Sequence, residues 1–214
     1  ARGDGYGEQM YPEVVFVDAT VLVTRSTRDW LLHVRSVSNR GMYVIACSRD
    51  VVIEALNTLR NQNPTWSGAQ TAALHDGFLK AFDIVDDFDA EIPYDGTDPH
   101  DRHVHAAAIA SGAGFLLTDD KGFRRMANDG TPYEVISADD FFVLIDDSNP
   151  HLIAEATRNQ VDYWASRSQK AQLAEHLTAA GCPLFAERVA GHVRVLAGMM
   201  TRAERRRALD KNEQ

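Results

Sequence analysis

The stretch FLLTDDKGF, residues 115–123, decides how the rest of the chain is read. A short apolar run (Phe115, Leu116, Leu117) ends abruptly on Thr118, Asp119 and Asp120. A second run, VVFV at residues 14–17, stops in the same way on Asp18. Two buried strands that each end on an acid place negative charge at one edge of a sheet. In parallel α/β sheets, that carboxyl edge is where ligands bind, at the point where the winding reverses. The pattern predicts a metal site there.

Outward from these two runs, the chain alternates strands and helices. Apolar residues Trp30, Leu31, Val34 and Val37 recur at helical spacing, predicting a helix over residues 26–39 that Gly41 closes. Residues 42–47 read as a second strand. Ser48 caps a helix to about residue 61, with Val51, Val52, Ala55, Leu56 and Leu59 on one face and Glu54 just outside it. Asn63-Pro64 breaks the chain, and a helix follows over residues 67–82. Residues 83–98 hold no basic residue; they read as a solvated loop, or as one that includes a short third strand near 81–85. Asp98-Pro99 then opens a helix, with Asp98 as N-cap, Pro99 at the first position and Asp101 in the first turn. It runs through Ala106-Ala107-Ala108 to Gly112. Residues 115–117 are the fourth strand. A short helix, a fifth strand at 133–136 and a helix over 138–145 complete a doubly wound parallel sheet.

Asn149-Pro150 marks a boundary. Beyond it the chain is wholly helical, with helices over 151–167, over 168–180 and after Gly181-Cys182-Pro183. The expected division is a flexible lead-in (1–12), an α/β domain (13–148) and a helical C-terminal extension (149–214). Leu152, Val161, Trp164, Leu173, Leu177, Phe185, Val189, Val193 and Leu196 in that extension are expected to pack on the α/β domain or on a second copy.

The 214 residues are 44% hydrophobic and 25% charged, an ordinary balance for a globular chain. The apolar runs are too short to cross a bilayer, and residues 1–10 have no apolar core of a signal peptide. Cys47 and Cys182 lie far apart, as unpaired thiols of a reducing cytoplasm. The net charge of −9 is uneven: residues 1–150 hold 24 acids and 12 bases, residues 151–214 hold 7 and 10. Such acidity argues against nucleic acid unless the acids hold divalent cations.

The candidate carboxylates are Asp18, Glu54, Asp98, Asp101, Asp119 and Asp120. Two like charges about 4 Å apart repel by roughly 4 kcal/mol at an effective dielectric of 20. A cluster of them needs protons or a cation, and oxygen-only ligands favour Mg²⁺ or Mn²⁺. His100, His103 and His105 lack the four-residue spacing of a zinc helix; His100 or His103 is left to contact substrate.

In this order and context, Asp18 after a strand, Glu54 on the second helix, DPHDRHVHAAAIA and LLTDDKGF resemble the PIN-domain nucleases, over about residues 13–147. The resemblance is strongest to the VapC-type toxins of toxin–antitoxin pairs. Asp101 with Ala108, and Thr118 with Asp120 and Phe123, satisfy that family's spacings. The resemblance implies a three-layer α/β/α fold with a central parallel sheet. Its metal ligands would be Asp18, Glu54, Asp101 and Asp120, with Asp98 as an additional acid and Thr118 orienting a ligand or water. It further implies a cytoplasmic, Mg²⁺- or Mn²⁺-dependent endoribonuclease that cleaves RNA through a metal-activated water. A homodimer and a cognate antitoxin complete its implied partners. Arg102 and the run Arg205-Arg206-Arg207 are lesser candidates for backbone phosphate, and exposed or solvated side chains are the simpler account of both.

Two alternatives stand beside this reading. Phosphatases of the haloacid dehalogenase type also place an Asp after the first strand, but Asp18-Ala19-Thr20 lacks the second acid of their Asp-x-Asp. A catalytically silent PIN-like module that binds protein or RNA would not need the full set of acids.

Overall fold

The computed structural model describes residues 12–39, 41–96, 98–126, 131–167 and 171–212, without the side chains of 124–126 and 200–212. The expected lead-in, apart from Pro12, and the side chains of Arg205, Arg206 and Arg207 lie outside the described residues.

Five strands form one all-parallel sheet: β1 (Glu13–Val17), β2 (Tyr43–Ser48), β3 (Asp83–Val85), β4 (Phe115–Leu117) and β5 (Glu134–Ile136). Their order across the sheet is β3-β2-β1-β4-β5. The chain steps outward from β1 to β3, returns to the other side of β1 and continues to β5. The winding therefore reverses between β1 and β4, the two strands that end on acids. Right-handed crossovers on the two sides of that point send their helices to opposite faces, consistent with a three-layer α/β/α arrangement.

Between β1 and β2 run α1 (Ala19–Val23) and α2 (Arg25–Val37); between β2 and β3, α3 (Arg49–Gln62) and α4 (Gly68–Ala81). A 3-10 turn (Pro99–Asp101) leads into α5 (Arg102–Ala110), α6 (Lys121–Met126) follows β4, and α7 (Ala138–Ser148) follows β5. Local chemistry accounts for these starts. Ser48 accepts from the Val51 N–H, Ser67 and Gln70 form a reciprocal capping box, and Asp98 accepts from the His100 N–H ahead of Pro99. The expected helix over 26–39 proves to be preceded by α1, because Asp18 caps the chain directly after β1. The short third strand forms: β3 pairs with β2 from Ala46 to Ser48.

The C-terminal helices are α8 (Pro150–Ala165), α9 (Leu173–Ala179) and α10 (Pro183–Asn212). Only Asn149 separates α7 from α8, and its side chain caps α8 through the Leu152 N–H. These helices pack against α2 and α7 and share one apolar core with the sheet. Phe185 stacks on Phe142 of α7 (4.7 Å between centroids) and meets the edge of Trp30 of α2 at 5.1 Å. Leu152, Leu173, Leu177 and Val189 are buried, as their spacing predicts, and Val161, Trp164, Val193 and Leu196 are half-buried.

Two aspartates on α7 hold α10 in place, and the sequence gives no hint of them. Asp139 accepts from the N–H groups of Leu184 (3.1 Å) and Phe185 (2.8 Å), capping α10 from another helix. Asp146 meets His192 at 2.8 Å and Arg188 at 3.4 Å.

Candidate functional site

Asp18 continues the β1–β4 pairing by donating its backbone N–H to the Leu117 carbonyl. That contact sets it beside Thr118 at the carboxyl edge of the sheet. Its carboxylate is 6% exposed and receives three neutral donors. They are the Ala19 N–H at 2.6 Å and the hydroxyls of Thr20 and Thr118, each at 2.8 Å. The buried Thr118 hydroxyl also accepts from the Asp120 N–H (3.0 Å), and Thr20 accepts from the Asp119 N–H (3.3 Å). Two hydroxyls thus tie the end of β1 to the turn after β4.

The doubled acids separate in space. Asp119 turns to the start of α7, where it accepts from the Ala138 N–H. Asp120 folds back over Gly122, accepting its N–H. A Cβ at Gly122 would stand 2.8 Å from Oδ1 of Asp120 and 3.9 Å from Oδ2 of Asp101. Glycine therefore leaves the room in which those two carboxylates approach each other. Asp98 is an exposed cap of the 3-10 turn, whereas Asp101, one turn on, faces the cluster.

Electrostatics link the same residues. Burial pushes the Asp101 carboxyl up to about 6, and the negative charges of Asp120, Asp98 and Asp18 add to the rise. A hydrogen bond from the Tyr94 hydroxyl (3.4 Å) opposes it. Glu54 is also raised, first by burial and then by Asp18, with His103 and His100 acting the other way. His103 Nε2 lies 3.8 Å from Glu54, and its Nδ1 is buried with no hydrogen-bond partner among the described residues.

Asp18, Glu54, Asp101 and Asp120 come from four separate parts of the chain: Asp101 feels Asp120 and Asp18, Glu54 feels Asp18, and Thr118 bonds both the Asp18 carboxylate and the Asp120 N–H. Among the described residues, no lysine or arginine pairs with any of these four. Their hard oxygen donors suit Mg²⁺ or Mn²⁺. As they stand, no three His, Cys, Asp or Glu side chains among the described residues lie close enough together to hold a metal ion.

Arg102 is exposed, as an ordinary helix-surface arginine would be. Sequence reasoning passed over Thr20, Gly122 and Tyr94. Thr20 had a signal, since a hydroxyl two residues after an Asp is placed to bond it. The other two depend on contacts across the fold that no local spacing encodes.

The chain matches no protein-family model and none of the curated proteins it was compared with.

Proposed function

We propose that the chain is a Mg²⁺- or Mn²⁺-dependent endoribonuclease of the PIN-domain type, acting as the VapC-like toxin of a toxin–antitoxin pair. The observation that carries this reading is the convergence of Asp18, Asp101 and Asp120 on the β1–β4 edge, with Glu54 near Asp18 and no lysine or arginine paired with any of them among the described residues. Net negative charge confined to one cleft is costly unless a cation is its purpose.

A divalent ion bound there would activate a water and neutralise charge on the phosphoryl oxygens. The chain's own residues do the rest. Thr20 and Thr118 fix the Asp18 carboxylate, and Thr118 also holds the Asp120 backbone. Gly122 gives Asp101 and Asp120 room to face each other. The reading includes RNA as substrate, a cognate antitoxin and a second copy of the chain as partners, and a cytoplasmic setting. Among the described residues, no helix is long and apolar enough to cross a membrane.

One observation favours a second reading. The open arrangement of the acids is what a catalytically silent PIN-like module, binding RNA or protein, would retain. Incubation with labelled RNA and Mg²⁺ or Mn²⁺, beside Asp18→Asn, separates the two. Cleavage by the wild type that the variant loses is the expected result. A folded wild type that leaves RNA intact contradicts the nuclease. Hydrolysis of small phosphomonoesters in place of RNA would point to a phosphatase.

A further inference from the structure

The acidic segment between β3 and α5 is more than a solvated connection, because one aromatic residue in it reaches the site. Tyr94 directs its hydroxyl to Oδ2 of Asp101. Its ring is held on several sides: the His105 ring lies 5.4 Å away and the Phe123 ring 6.2 Å away, centroid to centroid. A Cβ at Gly96 would overlap Cζ, Oη and Cε1 of Tyr94, so glycine is needed for the segment to fold back over the phenol. His105 is itself fixed by Tyr133, whose hydroxyl sits 2.5 Å from Nδ1, and by a hydrogen bond to the Pro93 carbonyl. Phe123 belongs to α6, which begins directly after Asp120, and His105 lies one turn beyond Asp101. Tyr94 thus braces the two elements that present Asp101 and Asp120.

We propose that Tyr94, seated on Gly96, is a positioning residue that holds the Asp101 carboxylate in place for a divalent cation. The inference rests on the metal-site reading given above. Its chemistry explains the choice of residue. Asp101 is pushed away from Asp120 and Asp98 by charge, and the Tyr94 donor on Oδ2, the oxygen that lies toward Gly122, resists that push and fixes the carboxylate's orientation. Lysine or arginine would also hold the carboxylate, but would neutralise it and compete with the cation. A phenol donates without bringing charge.

The test is Mn²⁺ titration of the full chain, followed by the loss of the free-ion electron paramagnetic resonance signal, for the wild type, Tyr94→Phe and Gly96→Ala. Tyr94→Phe keeps the ring and removes only the donor; Gly96→Ala displaces the phenol by another route. Partners that orient metal ligands are worth about 10- to 100-fold in affinity. Each variant is expected to melt as one cooperative unit and to bind Mn²⁺ at least about tenfold more weakly. Tyr94→Phe added to Asp101→Asn is expected to change nothing further, a signature that a merely structural role would not give. Wild-type Mn²⁺ affinity in a folded Tyr94→Phe overturns the positioning role alone. A wild type that binds no Mn²⁺ overturns the metal-site reading and this inference with it.

Discussion

Two groups of acids in this molecule differ in a way that burial alone would misread. Along the seam between α7 and α10, Asp139 and Asp146 are 8% and 4% exposed. Each is answered: Asp139 by two N–H donors at the start of α10, Asp146 by His192 and Arg188. At the β1–β4 edge, Asp18 is as buried but meets only neutral donors, Asp101 faces other acids, and Glu54 stands between Asp18 and His103. A buried acid with its counter-charge or its N–H donors in place is architecture. An acid whose principal charged neighbours are other acids is, on the proposed reading, where a cation would bind. Missing compensation, rather than depth, is what sets the two groups apart.

The comparison breaks most readily on activity. Asp120→Asn is expected to lower RNA cleavage at least about a hundredfold, since even the partners of metal ligands are worth 10- to 100-fold. Asp146→Asn, assayed where it is folded, is expected to cleave at the wild-type rate. A gel assay on labelled RNA reads both, and equal losses would erase the distinction.

Stability should move in opposite directions. Asp139→Ala strands two buried N–H groups, a loss of about 2 kcal/mol and about 4–8 °C in Tm for a chain of this size. Asp101→Asn should raise the Tm of the metal-free protein. The Asp101 carboxyl is raised in the fold, so ionising it weakens the fold as pH climbs from its ordinary value of 3.8 to about 6. At pH 7 the wild type carries that whole penalty, and asparagine carries none. Added Mg²⁺ should then stabilise the wild type more than the variant. Calorimetric melts at pH 7, with and without Mg²⁺, check both signs.

A smaller effect sharpens the picture around Tyr94. Burial lowers the His105 pKa from its ordinary 6.5. Below that value the unfolded chain takes up a proton that the folded chain refuses, so stability falls as pH drops through the window just beneath 6.5. His105→Gln should flatten that part of the pH–Tm curve, and an unchanged curve would show that the ring does not stay neutral between Tyr133 and Pro93.

How much of this was legible in the sequence follows from how local each cause is. The FLL strand matches residue for residue, because an apolar run bounded by Gly114 and Thr118 has nowhere else to begin or end. The caps at Ser48 and Asp98 were readable for the same reason. Helix α1 was not, since ATVLV is five residues rich in β-branched side chains and becomes a helix because Asp18 caps it. The candidate acids could be named but not sorted. Which of Asp119 and Asp120 faces Asp101 is set by the start of α7, some twenty residues away. The seam acids were invisible, because Asp139 and Asp146 find their partners about 46 residues later. Tyr94 was hidden by its setting, a run of acids whose composition suggests only solvent.

The central claim is that the acids at the β1–β4 edge form one cation site, and the most direct measurement is anomalous diffraction from crystals grown with Mn²⁺. The account predicts an anomalous peak between Asp18, Asp101 and Asp120 that is absent from crystals of Asp18→Asn. Crystals of the wild type with no peak there, at Mn²⁺ concentrations that occupy other surface carboxylates, would contradict it.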